Sequence, residues 1–493
     1  MPINFIPNDS AAGPAAAGLR VQPPRPDRPA AKSGFVFTGA SAEGTFAPGT
    51  SEFLFWQCRE AALAALETWE ACAGPHSKWQ GNRKKLPLRQ NDGVDLNAFY
   101  DRASFSFFED TVGGTTFFSG GSTDVVAHEV GHGLLDSMRP DFFEVNFLEV
   151  GAFHEAFGDC LAMLTALGDL EVRQKLLAVT TDLRKRNFVE TTAEDLSNGI
   201  RGRQPTHNAA EPRHAFNALK FQIPTSLPAN GGPGKLINEV HSFGMIFTGC
   251  FWDLITNVFG ASTPKNEATL LSAARVAGKI LIAGAKDAVV TPRFLRSVGR
   301  AMVLADQSLH DGANGDHIRT AFESHAILLG ANGLLAPSMA LAGRAPRGAT
   351  LGAATRKDLV RRLGGGRGAK LSLAAANVFG TPVVKAVQTR NVPLGGVDNR
   401  LKGVVAVAHE PVMVGGSGGM AAVVGAMPNS TDTEAEVQSF VQSLLAHGRI
   451  DFGKPKQGFV ASSNGKAHAT HAIKKVSGKK VLRRIRFRCL CCS

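Results

Sequence analysis

Two histidines four residues apart, with a glutamate beside the first, are the groups in this chain best placed to do chemistry: His128-Glu129-Val130-Gly131-His132. On a helix, positions four apart share a face, so both imidazoles can reach one metal ion. Two imidazoles suit zinc, and Glu129 can hold a water against it. A catalytic zinc needs a third protein ligand and an open position. Glu155 and Asp159, again four apart, follow in a second helical stretch. Glu155 can ligate. Asp159 can accept the other ring N–H of a ligand histidine and fix its tautomer. The apolar neighbours Phe153, Ala156 and Phe157 argue against a merely solvated acidic face. Such a centre fits hydrolysis of a poor electrophile such as a peptide. Metal-bound water ionises near pH 7. Glu129 could take the water's proton and pass it to the leaving nitrogen.

These groups need rigid elements behind them. Asp124-Val125-Val126-Ala127 is apolar enough to bury one side of the first helix, and Cys160 to Leu164 extends the second. Residues 51 to 73 read as a helix capped by Ser51 and stopped by Gly74-Pro75. Leu86-Pro87-Leu88 reads as a strand at a sheet edge because of its proline. Ala103 to Phe107 alternates as a half-buried strand does. From about 160 to 330 the pattern is helical, with Phe243, Phe247, Cys250, Phe251, Leu254 and Val258 on one face. Further helices fit 267 to 285, 292 to 306 and 315 to 329. The fold class is α+β.

The zinc blocks resemble the thermolysin-like zinc metallopeptidases. The likeness covers Ser119-Gly120-Gly121, Asp124 to Glu129, His132, Asp136, Gly151-Ala152, Glu155-Ala156 and Asp159. It extends to Asn97-Ala98-Phe99-Tyr100 and to Glu239-Val240-His241-Ser242-Phe243-Gly244, about residues 51 to 330 in all. The resemblance implies a two-lobed catalytic domain, a mixed-sheet lobe and a helical lobe with the cleft between them. It implies His128, His132 and Glu155 as zinc ligands, Glu129 as the catalytic base and Asp159 behind a ligand. His241 would be a catalytic donor to the oxyanion. Asn97 and Ala98 would lead into a strand, at 103–107, that pairs with substrate main chain, and Arg213 would bind a substrate carbonyl. Val125, Phe117 and Phe118 would form an apolar pocket for the residue after the scissile bond. Three departures stand out. The family's oxyanion tyrosine is Asn146 here, which could donate through its amide, and the only tyrosine is Tyr100. His154 replaces a usual Asn. Ca2+ is not supported, because Asp124 matches one ligand but Ala166 lies near the place of another.

Composition is that of a globular chain of 493 residues, long enough for two or three domains. Residues 1–50 are rich in Pro, Ala and Gly and read as a flexible arm, in which Phe35-Val36-Phe37 could add a short strand. The catalytic part is 51–335, divided into 51–165 and 166–335. Residues 336–452 read as a linker and a domain of unknown role, β-rich with one helix at Thr433 to Ala446. Residues 453–493 are a basic β-hairpin tail ending in Cys489, Cys491 and Cys492. Of the net charge of +12, 11 units come from Lys454 onward, where there is no Asp or Glu. That tail could meet an anionic surface or an acidic partner, or be a solvated face. The other four cysteines do not form a disulfide framework. No run of 18 apolar residues marks a transmembrane segment, and no secretory signal is visible, which points to a cytoplasmic protein or non-classical export. A zinc-holding scaffold without activity, binding through its basic C-terminal region, is the alternative to a peptidase.

Overall fold

In the computed structural model the chain is described over residues 1–330, 371–378, 381–417, 420–424, 430–453 and 468–489. The linker expected at the start of 336–452, and Cys491 and Cys492, lie outside them. The chain starts with β1 (Ile3–Phe5), paired antiparallel with β2 (Arg20–Gln22), and β3 (Gly34–Phe37) follows. The expected flexible arm is instead laid against the body. Ile3 and Phe5 are buried, Ile6 exchanges backbone hydrogen bonds with the Gln57 side chain at 2.8 and 2.9 Å, and Asn8 reaches the Phe188 carbonyl at 2.8 Å. Its strands are too short to show a period, so composition alone reads as loose chain.

Helix α1 (Ser51–Ala73) is capped by Thr50, one residue earlier than expected, whose side chain accepts from the Phe53 N–H. Then come β4 (Lys85–Arg89), β5 (Ala98–Tyr100), β6 (Phe105–Phe107) and the hairpin β7 (Glu109–Val112) with β8 (Thr115–Phe118). Two expectations change. β4 is interior, parallel to both β3 and β6. Only Leu88 and Arg89 pair with β6, so the missing N–H of Pro87 costs that ladder nothing. β6 is interior too, between β4 and β5, so β5 is the strand bordering the cleft.

The two site-bearing helices are α2 (Thr123–Met138) and, after the short α3 (Asp141–Glu144), α4 (Leu148–Gly168). All of α4 but its last residue is buried. The helices cross closely because glycine faces glycine: a Cβ on Gly131 would lie 3.0 Å from the Cα of Gly158. Next are α5 (Leu170–Val179), β9 (Thr191–Thr192), α6 (Glu194–Arg203), β10 (Arg213–His214), α7 (Val240–Ala261), α8 (Glu267–Asp287), α9 (Phe294–His310) and α10 (Gly315–Ser324). Helices α7 and α8 are long and apolar enough to cross a membrane by length and composition. Both are packed into the body, and most of α7 is buried there. The described cysteines, Cys58, Cys72, Cys160, Cys250 and Cys489, are all free.

The C-terminal region is β-rich. It comprises β11 (Leu371–Val378), β12 (Thr381–Pro393), β13 (Val404–Ser417), β14 (Met420–Val424), α11 (Ser430–Ala446), β15 (Ile450–Asp451), β16 (His471–Val476) and β17 (Lys479–Arg484). These strands make one seven-stranded sheet. The expected hairpin is β16–β17, turning at Ser477 and Gly478 with φ of 47° and 82°. It is not a free basic tail. Lys474, Lys475, Lys479 and Lys480 are exposed, but the arginines turn inward. Arg484 and Arg488 are buried, Arg488 pairs with Asp95 at 3.2 Å, and Arg483 pairs with Glu144. The last strand, β18 (Phe487–Arg488), leaves this sheet and extends the first one, giving the order β18-β5-β6-β4-β3.

Candidate metal centre and cleft

Helix α2 turns His128 and His132 toward the Glu155 carboxylate on α4. Glu155 Oε2 lies 3.3 Å from His128 Nε2 and 3.4 Å from His132 Nε2. The outward nitrogens are held. His128 Nδ1 bonds Asp159 Oδ1 at 2.8 Å, and His132 Nδ1 bonds His154 Nδ1 at 2.8 Å. Gly158 makes room for the first ring, since a Cβ there would meet His128 Nδ1 at 2.6 Å. The inward atoms are different. His128 Nε2, His132 Nε2, Glu155 Oε2 and both oxygens of Glu129 are buried with no hydrogen-bond partner among the described residues. Buried polar atoms are almost always partnered. Two nitrogens and carboxylate oxygens converging in this state are a donor set that fits a metal ion such as zinc. Glu129 is close enough to belong to the cluster: one ligand atom from each of His128, Glu129 and His132 lies within 4.8 Å of the others.

The electrostatics follow from burial and from Asp159. Burial pushes the Glu129 carboxyl up to about 8. Burial works against charge on His128, but the hydrogen bond and charge of Asp159 outweigh it and raise that ring to about 9. Burial lowers His132 to about 4. Asp159 is held well below the usual carboxylate range against the effect of burial, chiefly by the Arg213 guanidinium. Arg213 grips it through Nε at 2.9 Å and Nη2 at 2.7 Å.

The remaining site residues fall on three sides of this centre. His241 opens α7 with Nδ1 2.9 Å from Glu239 Oε1 and Nε2 3.1 Å from Glu155 Oε2. Ala98, on the border strand, accepts from the backbone N–H of Cys489 at 2.9 Å. Asn97 is buried beside it, its amide without a partner among the described residues. Arg213 Nη1 donates to the Cys489 carbonyl at 3.0 Å. Asn146 does not serve the site: its amide is spent 3.4 Å from the Val407 carbonyl of the C-terminal region. Tyr100 is likewise committed to Asp136 at 2.9 Å. Phe118 packs on the small cluster of Ile6, Phe53 and Leu54. Sequence reasoning noted His154 only as a departure from the family, and left Phe487 and Cys489 in the tail, with no role at the site. The first was legible as a third histidine beside the motif. The other two sit more than 300 residues away, in a tail with no motif of its own.

Asp124, near the start of α2, gains partners that spacing did not suggest. Asp9 from the first segment and Glu194 from α6 bring one carboxylate oxygen each within 4.8 Å of it and of each other. Burial, then the charges of their neighbours, raise Asp9 well above its ordinary value and Glu194 to about 10.

Residues 118–332 match the fungalysin metallopeptidase (M36) family. The matched stretch, a little under half of the chain, carries both zinc-motif helices and His241, and it supports a metallopeptidase. No curated protein matches the chain.

Proposed function

We propose that the protein is a zinc-dependent endopeptidase. The observation that carries this is the set of buried, partnerless atoms on His128, His132, Glu155 and Glu129. His128, His132 and Glu155 would hold the metal. Glu155 is preferred to Glu129 as the third ligand because it touches both ring nitrogens, and because Glu129, beside His128 on α2, points about 100° away from it. When bound, zinc acidifies water and polarises a carbonyl.

The other steps belong to the chain. Asp159 orients His128 from behind, and His154 does the same for His132. Glu129 takes the proton from the attacking water and delivers it to the departing nitrogen, a role suited to a carboxyl whose burial brings it near neutrality. His241, oriented by Glu239, donates to the developing oxyanion. Arg213 and the Ala98 carbonyl hold the substrate main chain on the far side of the scissile bond. Val125, Phe117 and Phe118, at the positions where the resembled family builds an apolar pocket, favour a large apolar residue there. Zinc-loaded protein should digest casein, and a peptide library should show cleavage before Leu, Phe, Ile or Val. No digestion by fully loaded protein would leave the scaffold reading in its place.

A further inference from the structure

The C-terminal strand sits in the site as a peptide substrate would. β18 adds antiparallel to the border strand β5, with Phe487 opposite Tyr100 and Arg488 opposite Phe99. Three hydrogen bonds then fix the backbone on both sides of the Arg488–Cys489 bond. The Cys489 N–H donates to Ala98, Arg213 donates to the Cys489 carbonyl, and His241 Nε2 donates to the Arg488 carbonyl at 2.6 Å. That same Nε2 is 3.1 Å from Glu155 Oε2. The Arg488 carbonyl is therefore held by a nitrogen that also touches a metal-binding carboxylate. Upstream, the Phe487 ring stacks on His154 at 3.8 Å and on His132 at 4.8 Å, and the Arg484 guanidinium lies over the same ring at 4.1 Å. A strand that only filled space would have no reason to aim two successive carbonyls at two basic side chains of the site.

We propose that the chain cleaves its own Arg488–Cys489 bond. This rests on the peptidase reading. Water oxygen adds to the Arg488 carbonyl carbon, and the C–N bond to Cys489 breaks. One water proton passes through Glu129 to the Cys489 nitrogen. The products are a chain ending in the Arg488 carboxylate and a free peptide of residues 489–493. Until that happens, the cleft is closed to other peptides, so digestion of added substrate begins with a lag.

The test follows the intact mass of the full chain after zinc is added to metal-free protein. Loss of residues 489–493 is expected, at a rate independent of protein concentration because the bond is presented within the same molecule. Glu129→Gln should slow it by about 100-fold or more. A rate that rises with concentration, or an unchanged mass while casein is digested, overturns self-cleavage and leaves the peptidase reading intact. If neither tail nor casein is cut, the peptidase reading fails first. A second measurement needs no catalysis. In metal-free protein Cys489, followed by mass mapping, should react with iodoacetamide at least about tenfold more slowly than in urea. Equal rates would mean that the strand is not in the cleft.

Discussion

Helix α2 carries two buried clusters able to hold metal, and they are built on opposite principles. Near its start, Asp124, Asp9 and Glu194 are three acids of like charge. Most of their oxygens are occupied by the chain's own donors: Ser122 bonds Asp9 and Asp124, Ala11 bonds Asp9, and Ala193 bonds Asp124. Glu194 Oε2 is buried with no hydrogen-bond partner among the described residues. In the middle of α2, His128 and His132 face Glu155, and the pattern reverses. Outward atoms are tied down, and the inward ones have no hydrogen-bond partner among the described residues. A buried polar atom left unsatisfied costs about 1–3 kcal/mol. A fold that gathers several in one place is keeping them for something that is not protein. The acidic cluster instead uses its oxygens as acceptors that hold segments of chain together.

The sharpest way to test this contrast is to remove function without removing shape. Glu129→Gln keeps the size and hydrogen bonding of the side chain but lacks the basic oxygen. Peptide hydrolysis should fall by about 10²–10⁴-fold while zinc content and melting temperature stay near those of the parent. Hydrolysis at the parent rate would show that Glu129 is not the base. Glu155→Ala strikes the metal itself, and elemental analysis should find well under one zinc per chain. Full occupancy would take Glu155 out of the ligand set.

A milder change reaches the metal through its support. Asp159→Asn keeps a partner for His128 but loses the charge that raises that ring's basicity and holds Arg213. Zinc affinity, measured by competition with a chelating dye, should weaken about 10–100-fold. His154→Phe should cost less, because the bond it removes from His132 is uncharged on the donor side of two neutral rings. An equal or larger loss for His154→Phe would reverse the ranking of the two supports.

How much of this was legible in the residues depends on range. The α2 and α4 motifs work through spacings of four within one helix, and such spacings survive folding unchanged. So His128, His132, Glu155 and Asp159 could be named from local pattern, and the helical lobe could be read from its three-and-four period. Pairings across the chain could not. β5 and not β6 borders the cleft, because β6 finds a second partner in β4. The first segment looked loose because its order comes from Gln57 and from Thr123, whose N–H bonds the Asn8 carbonyl, and not from its own period. The run of positive charge near the end looked like a surface feature. Only the fold shows Arg483, Arg484 and Arg488 turned inward, toward Glu144, Phe487 and Asp95.

The smallest expected effect belongs to the acidic cluster and completes the contrast. Glu194 is raised to about 10 by burial and then by Asp9 and Asp124, against about 4.3 in an unfolded chain. A carboxyl with a raised folded value holds its proton more tightly when folded. Its contribution to stability is therefore complete at low pH and is lost as pH climbs from the unfolded value toward 10. Glu194→Gln removes that titration while keeping the shape. In metal-free protein the variant should melt close to the parent at pH 5 and several degrees above it at pH 8. Scanning calorimetry at the two pH values reads the difference directly. Should the variant melt below the parent at pH 8 once a divalent cation is added, the cluster binds that cation, and α2 carries two metal sites.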